Sequence, residues 1–358
     1  MRYGIIGTGM MGVEHLWNLH HVPGARVTAI ADPNGPSREF AVAADEGRSG
    51  FEVFTDHRDL LASGLVDAVV VATPNMTHRQ VLDDVLPTDL HVLVEKPLCT
   101  TVADCDAVLA AAEGREAIVW VGLEYRYMPP VARLLEAVRS GAVGRPTMVA
   151  IREHRFPFLP KVGDWNRFNR NTGGTLVEKC CHFFDLMNQV TGDQPVRVLA
   201  SGAQDVNHLD EAYDGEVPDI LDNAFVIVDY ACGARALLDL CMFAEASEHQ
   251  EELSVVGPLG KVEAFLPEST VRLGRRSTGR PGIATEVVHD PRVAYEGFHH
   301  GSSYLEHLDF LDAIRTGGSA GVGLAEGRLS VAMGVAAQRS IAEGRAVAID
   351  EVLGEAAT

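Results

Sequence analysis

The chain has no apolar run approaching the roughly 20 residues that span a bilayer. It is also short of positive charge, with 30 Lys plus Arg against 50 Asp plus Glu and a formal charge of −20. The first lack predicts no membrane span. "MRYGII" leads straight into a strand rather than into the charged and apolar regions of a secretory leader, so a cytoplasmic protein is expected. The second lack argues against nucleic acid as a partner, because a surface of this sign repels phosphate backbones and anionic membranes alike. A local basic pocket remains compatible with it, built from Arg152, Arg155, Arg167 and Arg170. The six cysteines (Cys99, Cys105, Cys180, Cys181, Cys232 and Cys241) show neither CxxC nor zinc-finger spacing, which predicts reduced, mostly buried thiols and no metal centre. What is present is a globular composition, 46% hydrophobic and 22% charged over 358 residues, enough for two domains.

Through residue 125 the pattern alternates strand and helix. Apolar runs at 3–6, 25–31, 51–54, 66–72, 91–95 and 117–123 read as strands, and the stretches 10–20, 36–46, 78–86 and 101–113 as helices. Such alternation implies parallel strands in a doubly wound α/β sheet, because each parallel connection needs a crossover. The first strand runs into "GTGMMG", in which Gly7, Gly9 and Gly12 fill G-x-G-x-x-G around Thr8, Met10 and Met11. Gly7 permits the turn, Gly9 lets a pyrophosphate approach the backbone, and Gly12 allows close helix–strand packing. Asp32 ends the second strand twenty residues after Gly12, where it accepts hydrogen bonds from ribose hydroxyls and repels a 2′-phosphate. NAD is therefore favoured over NADP, with Arg38 nearby to soften the preference. Two further stretches end strands, where such sheets bind ligands: "TPNMTH", with Thr73, Pro74, Asn75 and His78, and "EKP", with Glu95 and Lys96.

Residues 125–358 form the second predicted domain. Strand-like runs at 147–155, 196–203, 223–231, 234–243, 251–257, 261–265 and 270–273 with short turns predict a largely antiparallel open sheet in an α+β domain. The stretch 156–174, rich in Pro, Gly and Asn, reads as a loop, either a binding loop whose Trp165 is suited to stack on a sugar face or one packed by its own aromatics. It leads into "GGTLVEKCCHFFD" and a helix expected over 174–190. Glu178 and His182, four apart, are expected to share one face close enough to meet, with Asp185 a turn beyond. An arbitrary helix would carry them as a surface ion pair, but their neighbours here are apolar. Metal binding fits poorly, since no second ligand stands at metal-like spacing. Thiol catalysis fits poorly too, since Cys181 points away from His182. A proton relay fits, with a histidine as base and a carboxylate fixing its tautomer.

The combination of "GTGMMG", "TPNMTH", "EKP", "YRYMP", "GGTLVEKCCHFFD" and the closing helical segments resembles the Gfo/Idh/MocA oxidoreductases, nearly end to end. The resemblance implies a Rossmann domain over 1–124 and an α+β domain over 125–358. Subunits would contact through the open sheet, giving a homodimer or homotetramer. The inositol dehydrogenases of that family carry the EKP lysine, an aspartate and a histidine four residues later as the catalytic group, which falls here on Lys96, Glu178 and His182. Glu replaces Asp, and "KCC" replaces a smaller, glycine-containing spacer. Arg126 and His154 fall near positions that contact polyol hydroxyls. The expected activity is NAD-dependent oxidation of a ring hydroxyl of a cyclitol or sugar. The alternatives are a glycosidase using transient oxidation by retained NAD, and a dinucleotide-binding sensor without turnover.

Overall fold

Six apolar runs pair as one parallel sheet in the computed structural model, which describes residues 1–355. β1 (Arg2–Ile6), β2 (Arg26–Ala31), β3 (Glu52–Phe54), β4 (Ala68–Val71), β5 (His91–Glu95) and β6 (Val119–Gly122) take the order β3-β2-β1-β4-β5-β6. Helices cover both faces, so a central strand has no polar side: β4 is buried at every position. The crossovers are α1 (Met10–His21), α2 (Gly35–Asp45), α3 (His57–Ala62), α4 (His78–Val85) and α5 (Val102–Ala111). The start of α2 is fixed locally, by Asn34 accepting from Ser37 N and by Pro36 in the first turn. α3 was not expected, because six residues are too few to display a helical period; Asp56 caps it through Arg58 N. The strand order reverses between β1 and β4, and a crevice opens there at the carboxyl ends of the strands.

The second sheet contains β7 (Met148–His154), β8 (Pro195–Ala203), β9 (Asn223–Tyr230), β10 (Arg235–Cys241), β11 (Glu251–Val256), β12 (Gly260–Leu266), β13 (Thr270–Arg275), β14 (Ala284–Val287) and β15 (Val347–Ala348). Their order is β14-β13-β12-β11-β7-β10-β9-β8-β15. β7 and β10 pair in parallel, and the other ladders of this sheet are antiparallel among the described residues. β14 and β15 went unread because the first is exposed throughout and shows no alternation, while the second has only two residues.

The remaining helices are α6 (Pro129–Arg139), α7 (Asn169–Thr172), α8 (Thr175–Glu178), α9 (Cys181–Thr191), α10 (Ser302–Thr316), α11 (Leu324–Glu343) and α12 (Ile349–Glu355). α6, α9 and α11 pack on one face of the second sheet. The other face is open: β9 alternates buried Ala224, Val226 and Val228 with outward Phe225 and Ile227, and Met148 and Leu237 stand beside them. α10 and α11 return to the first sheet, where Trp120 Nε1 donates to Glu306 Oε1 at 3.0 Å and Val121 N to Val322 O at 3.1 Å.

The continuous helix expected over 174–190 is instead two, α8 and α9, with Lys179 and Cys180 between them. Gly174 enters α8 at φ 89° and ψ 162°, a region open essentially to glycine alone, and a Cβ there would lie 1.6 Å from Gln338 Oε1. Gly174→Ala is expected to destabilise the protein by about 1–3 kcal/mol, from backbone strain of this kind. A lowered thermal midpoint in a melting experiment checks this.

Candidate active site

The crevice between β1 and β4 is a cleft of about 480 Å³. Gly7, at φ +90°, turns the chain under Ala72, whose oxygen lies 2.6 Å from where a Cβ would stand. Gly12 closes α1 onto that turn, its Cβ position only 2.0 Å from Gly7 O. Gly9 differs: nothing lies within 4 Å of its Cβ position, and it begins α1 without a side-chain cap. Uncapped N–H groups at the positive end of a helix thus meet open space, an arrangement suited to a pyrophosphate. Gly7, Gly9, Met10 and Met11 line the cleft, while Thr8 is buried and donates its N–H to Asp32 Oδ2 at 2.7 Å. Asp32 lines the cleft and also accepts from Asn34 N at 2.8 Å; Arg38 turns to the Asp32 backbone oxygen. Thr73, Pro74 and Asn75 form the wall after β4, and Glu95 and Lys96 the wall after β5. These residues fit a nicotinamide dinucleotide.

The loop expected over 156–174 closes this cleft with Pro160, Lys161, Val162 and Trp165. Glu178, at the end of α8, lines the same space, and Lys96 Nζ donates to the Glu178 backbone oxygen at 3.2 Å. Burial opposes the Lys96 ammonium, but the Cys181 thiol and the carboxylates of Glu95 and Glu178 hold its pKa above the ordinary value. Burial raises the Glu178 carboxyl against the pull of Lys96 and Lys161. Lys161 itself is lowered by burial.

His182 does not line the cleft; it is 2% exposed and stacks on Tyr125 with ring centroids 3.9 Å apart and planes at 10°. Lys179 fixes Tyr125 in turn, donating to its hydroxyl at 2.6 Å while pairing with Glu153 Oε1 at 2.9 Å. Burial, then the charges of Lys96 and Lys179, push the imidazole well below its usual pKa, so it is neutral near pH 7. The expected meeting of Glu178 and His182 does not occur: among the described residues no hydrogen bond or ion pair joins them. The break after Glu178 ends the helical spacing on which that expectation rested. The carboxylate facing His182 is Glu124, with Oε1 3.8 Å from Nε2. The thiols behave as buried apolar groups, and burial pushes Cys181 up to about 12.

The structure departs from four other expectations. Arg126 does not reach the cleft, because its guanidinium grips Asp185, through Nε at 2.5 Å and through Nη2, and also donates to Gly321 O. His154 lies on the outward face of β7, bonded to Asp239 at 3.0 Å; the pleat turns its neighbour Glu153 inward instead. His78 is fully buried, with Nδ1 2.9 Å from Pro97 O and Nε2 3.0 Å from Thr73 O, so it ties the two strand-end loops together behind the cleft. The four arginines form no pocket: Arg152 pairs with Asp239, Arg155 with Glu153, Arg167 with Glu211 and Arg170 with Glu216.

The sequence reading missed Glu124, Tyr125, Lys161 and His299. Glu124 carried a usable signal, since it follows the carboxyl end of β6, where ligands of such sheets bind. His299 had none, lying in an irregular segment before α10.

Comparison with known proteins places the fold in a family. Residues 1–123 match the model of the oxidoreductase family with an NAD-binding Rossmann fold, and residues 135–349 match that of the same family's C-terminal alpha/beta domain. Myo-inositol 2-dehydrogenase of Thermotoga maritima is 28% identical over 360 residues, covering 99% of this chain and 100% of that protein. Inositol 2-dehydrogenase 1 of Saccharopolyspora erythraea is 28% identical over 98% of this chain and 96% of its own. Among solved structures, levoglucosan dehydrogenase in complex with NADH and levoglucosan shares the fold, with a TM-score of 0.83 at 22% identity over 98% of this chain and 99% of that one. The chain belongs to the Gfo/Idh/MocA oxidoreductase family.

Proposed function

We propose that this oxidoreductase oxidises a secondary ring hydroxyl of a cyclitol or sugar, using NAD. The observation that carries the reading is that Lys96 and Glu178 line the same cleft as the glycine turn, and that the Lys96 charge acts on the buried His182 imidazole. The full-length likeness to inositol 2-dehydrogenases supports the substrate class. When bound, a nicotinamide would supply the acceptor for the hydride of the alcohol carbon. Gly7, Gly9, Met10 and Met11 would hold the phosphates, and Asp32 the adenosine ribose, which favours NAD over NADP.

Lys96 remains an ammonium, donates to the reacting oxygen and stabilises the negative charge that develops there. Its reach to the Glu178 backbone oxygen fixes its direction. His182, kept unprotonated by burial and by two lysines, takes the hydroxyl proton. The Glu178 carboxyl, whose Oε2 is buried without a partner among the described residues, accepts from a substrate hydroxyl. Trp165 and Lys161 close the loop side. The outward apolar side chains of the second sheet, Phe225 and Ile227 among them, support a homodimer or homotetramer assembled through that face.

The experiment is a panel of cyclitols, free sugars and glycosides with NAD and with NADP, recording reduced cofactor and products. A cyclitol or sugar is expected to yield reduced cofactor, more readily from NAD. Sugar released from a glycoside without net reduced cofactor would select a glycosidase instead. His182→Ala is expected to lower turnover by roughly 10²–10⁴-fold, the usual worth of a positioned base, with NAD binding retained in calorimetry. Undiminished turnover would remove the mechanism. Light scattering is expected to give two or four chain masses, and Phe225→Asp with Ile227→Asp a single one.

A further inference from the structure

Glu124 lies between two imidazoles. Its Oε1 is 3.8 Å from His182 Nε2 and 3.9 Å from His299 Nδ1. The three side chains come from the turn after β6, the first turn of α9 and the segment before α10. Glu124 Oε2, His182 Nδ1 and His299 Nδ1 are buried without a hydrogen-bond partner among the described residues. Buried polar atoms are nearly always paired, so three orphans in one cluster need a reason. Both gaps are somewhat longer than a hydrogen bond, as catalytic contacts often are before substrate enters. The side chains of His182 and Glu124 are 2% and 3% exposed, whereas that of His299 is 24% exposed, so the line runs from the interior toward solvent.

We infer that Glu124 and His299 form the route by which the proton taken up by His182 leaves the protein, an inference that rests on the dehydrogenase reading above. The hydroxyl proton bonds to His182 Nδ1 while the Nε2 proton passes to Glu124 Oε1. Glu124 passes its proton to His299 Nδ1 as His299 gives up its Nε2 proton to water, so the imidazolium, which burial and Lys179 hold down to about 3, does not accumulate. Each oxidation sends one proton out and needs no further reagent, since the electron pair leaves by the cofactor route already described. In the reverse direction the same groups return a proton to the new hydroxyl.

The groups facing Glu124 set its protonation. Burial and Glu95 push its carboxyl up to about 8, against the pull of Lys96 and Lys179. Tyr125, Cys181 and Glu306 also stand within its electrostatic reach. Glu124 must be ionised to accept a proton, so oxidation should rise as pH passes upward through about 8 and reduction should fall. His182 is depressed and Lys96 raised, so neither supplies that inflection.

The test is Glu124→Gln in the full chain, read in two ways. With NAD and an alcohol found active in the panel, kcat for oxidation above the inflection is expected to fall about 10- to 100-fold, at the lower end of a positioned acid–base group, and the inflection to vanish. Without any ligand, the wild-type-minus-variant infrared difference should contain a protonated carboxyl band that fades near pH 8. Subtraction removes the band of Glu251, whose carboxyl is also raised. An unchanged pH profile, or no such band, overturns the inference. Should Glu124→Gln fail to fold, His299→Ala is expected to slow turnover and to be rescued by added imidazole; no loss, or loss without rescue, overturns it. A wild-type protein that turns over no alcohol would instead defeat the dehydrogenase reading, while the infrared titration still reports on Glu124.

Discussion

Lys96 is an ammonium taken out of water at the carboxyl end of a parallel strand, and much of the interior is arranged to make that tolerable. A buried charge is costly unless compensated, and here the compensation is acidic: Glu95 beside it and Glu178 across the cleft. The acids then need partners of their own. Glu95 accepts from Lys96 N at 3.1 Å and bonds His15 Nε2 at 2.8 Å, and His15 Nδ1 lies 2.8 Å from His307. Burial opposes the Glu95 carboxylate, but the bond to His15 holds it down to about 2. Glu95 thereby ties β5 to α1 and, through His15, to α10, and so joins the first sheet to the closing helices.

A second buried cation shapes the other half of the site. Lys179 interrupts what would be one helix, reaching Glu153 on β7 and the Tyr125 hydroxyl. Tyr125 holds His182 by stacking, so the orientation of the imidazole follows from an ion pair on the far side of the tyrosine ring. The Lys96 and Lys179 charges, together with burial, keep His182 unprotonated. A weakly basic imidazole serves as a base only if its proton can move on, which gives the adjoining Glu124 its importance.

Much of the fold was legible because a parallel sheet writes itself plainly: buried strands read as apolar runs, and the glycine turn announces the first crossover. Gly7, Gly9, Asp32, Lys96, Trp165 and Glu178 line one cleft. The failures come from effects that spacing cannot carry. "LVEKCCH" contains no proline or glycine, so the break at Lys179 and Cys180 is imposed by tertiary contacts, and the Glu178–His182 spacing lost its meaning. His154 misses the interior by one step of the pleat, which is invisible without the register of β7. Arg126 is spent on Asp185, 59 residues away, and His299 approaches Glu124 from far along the chain. Such pairings exist only once both sheets have formed.

The central claim is that the Lys96 ammonium and the His182 imidazole converge on one alcohol oxygen beside the nicotinamide. The most direct measurement is a crystal structure with bound dinucleotide and a non-reacting cyclitol. The account predicts one ring oxygen within hydrogen-bond distance of both Lys96 Nζ and His182, with the phosphates over Gly9. A cyclitol held away from either side chain, or a dinucleotide that leaves the glycine turn untouched, would contradict it.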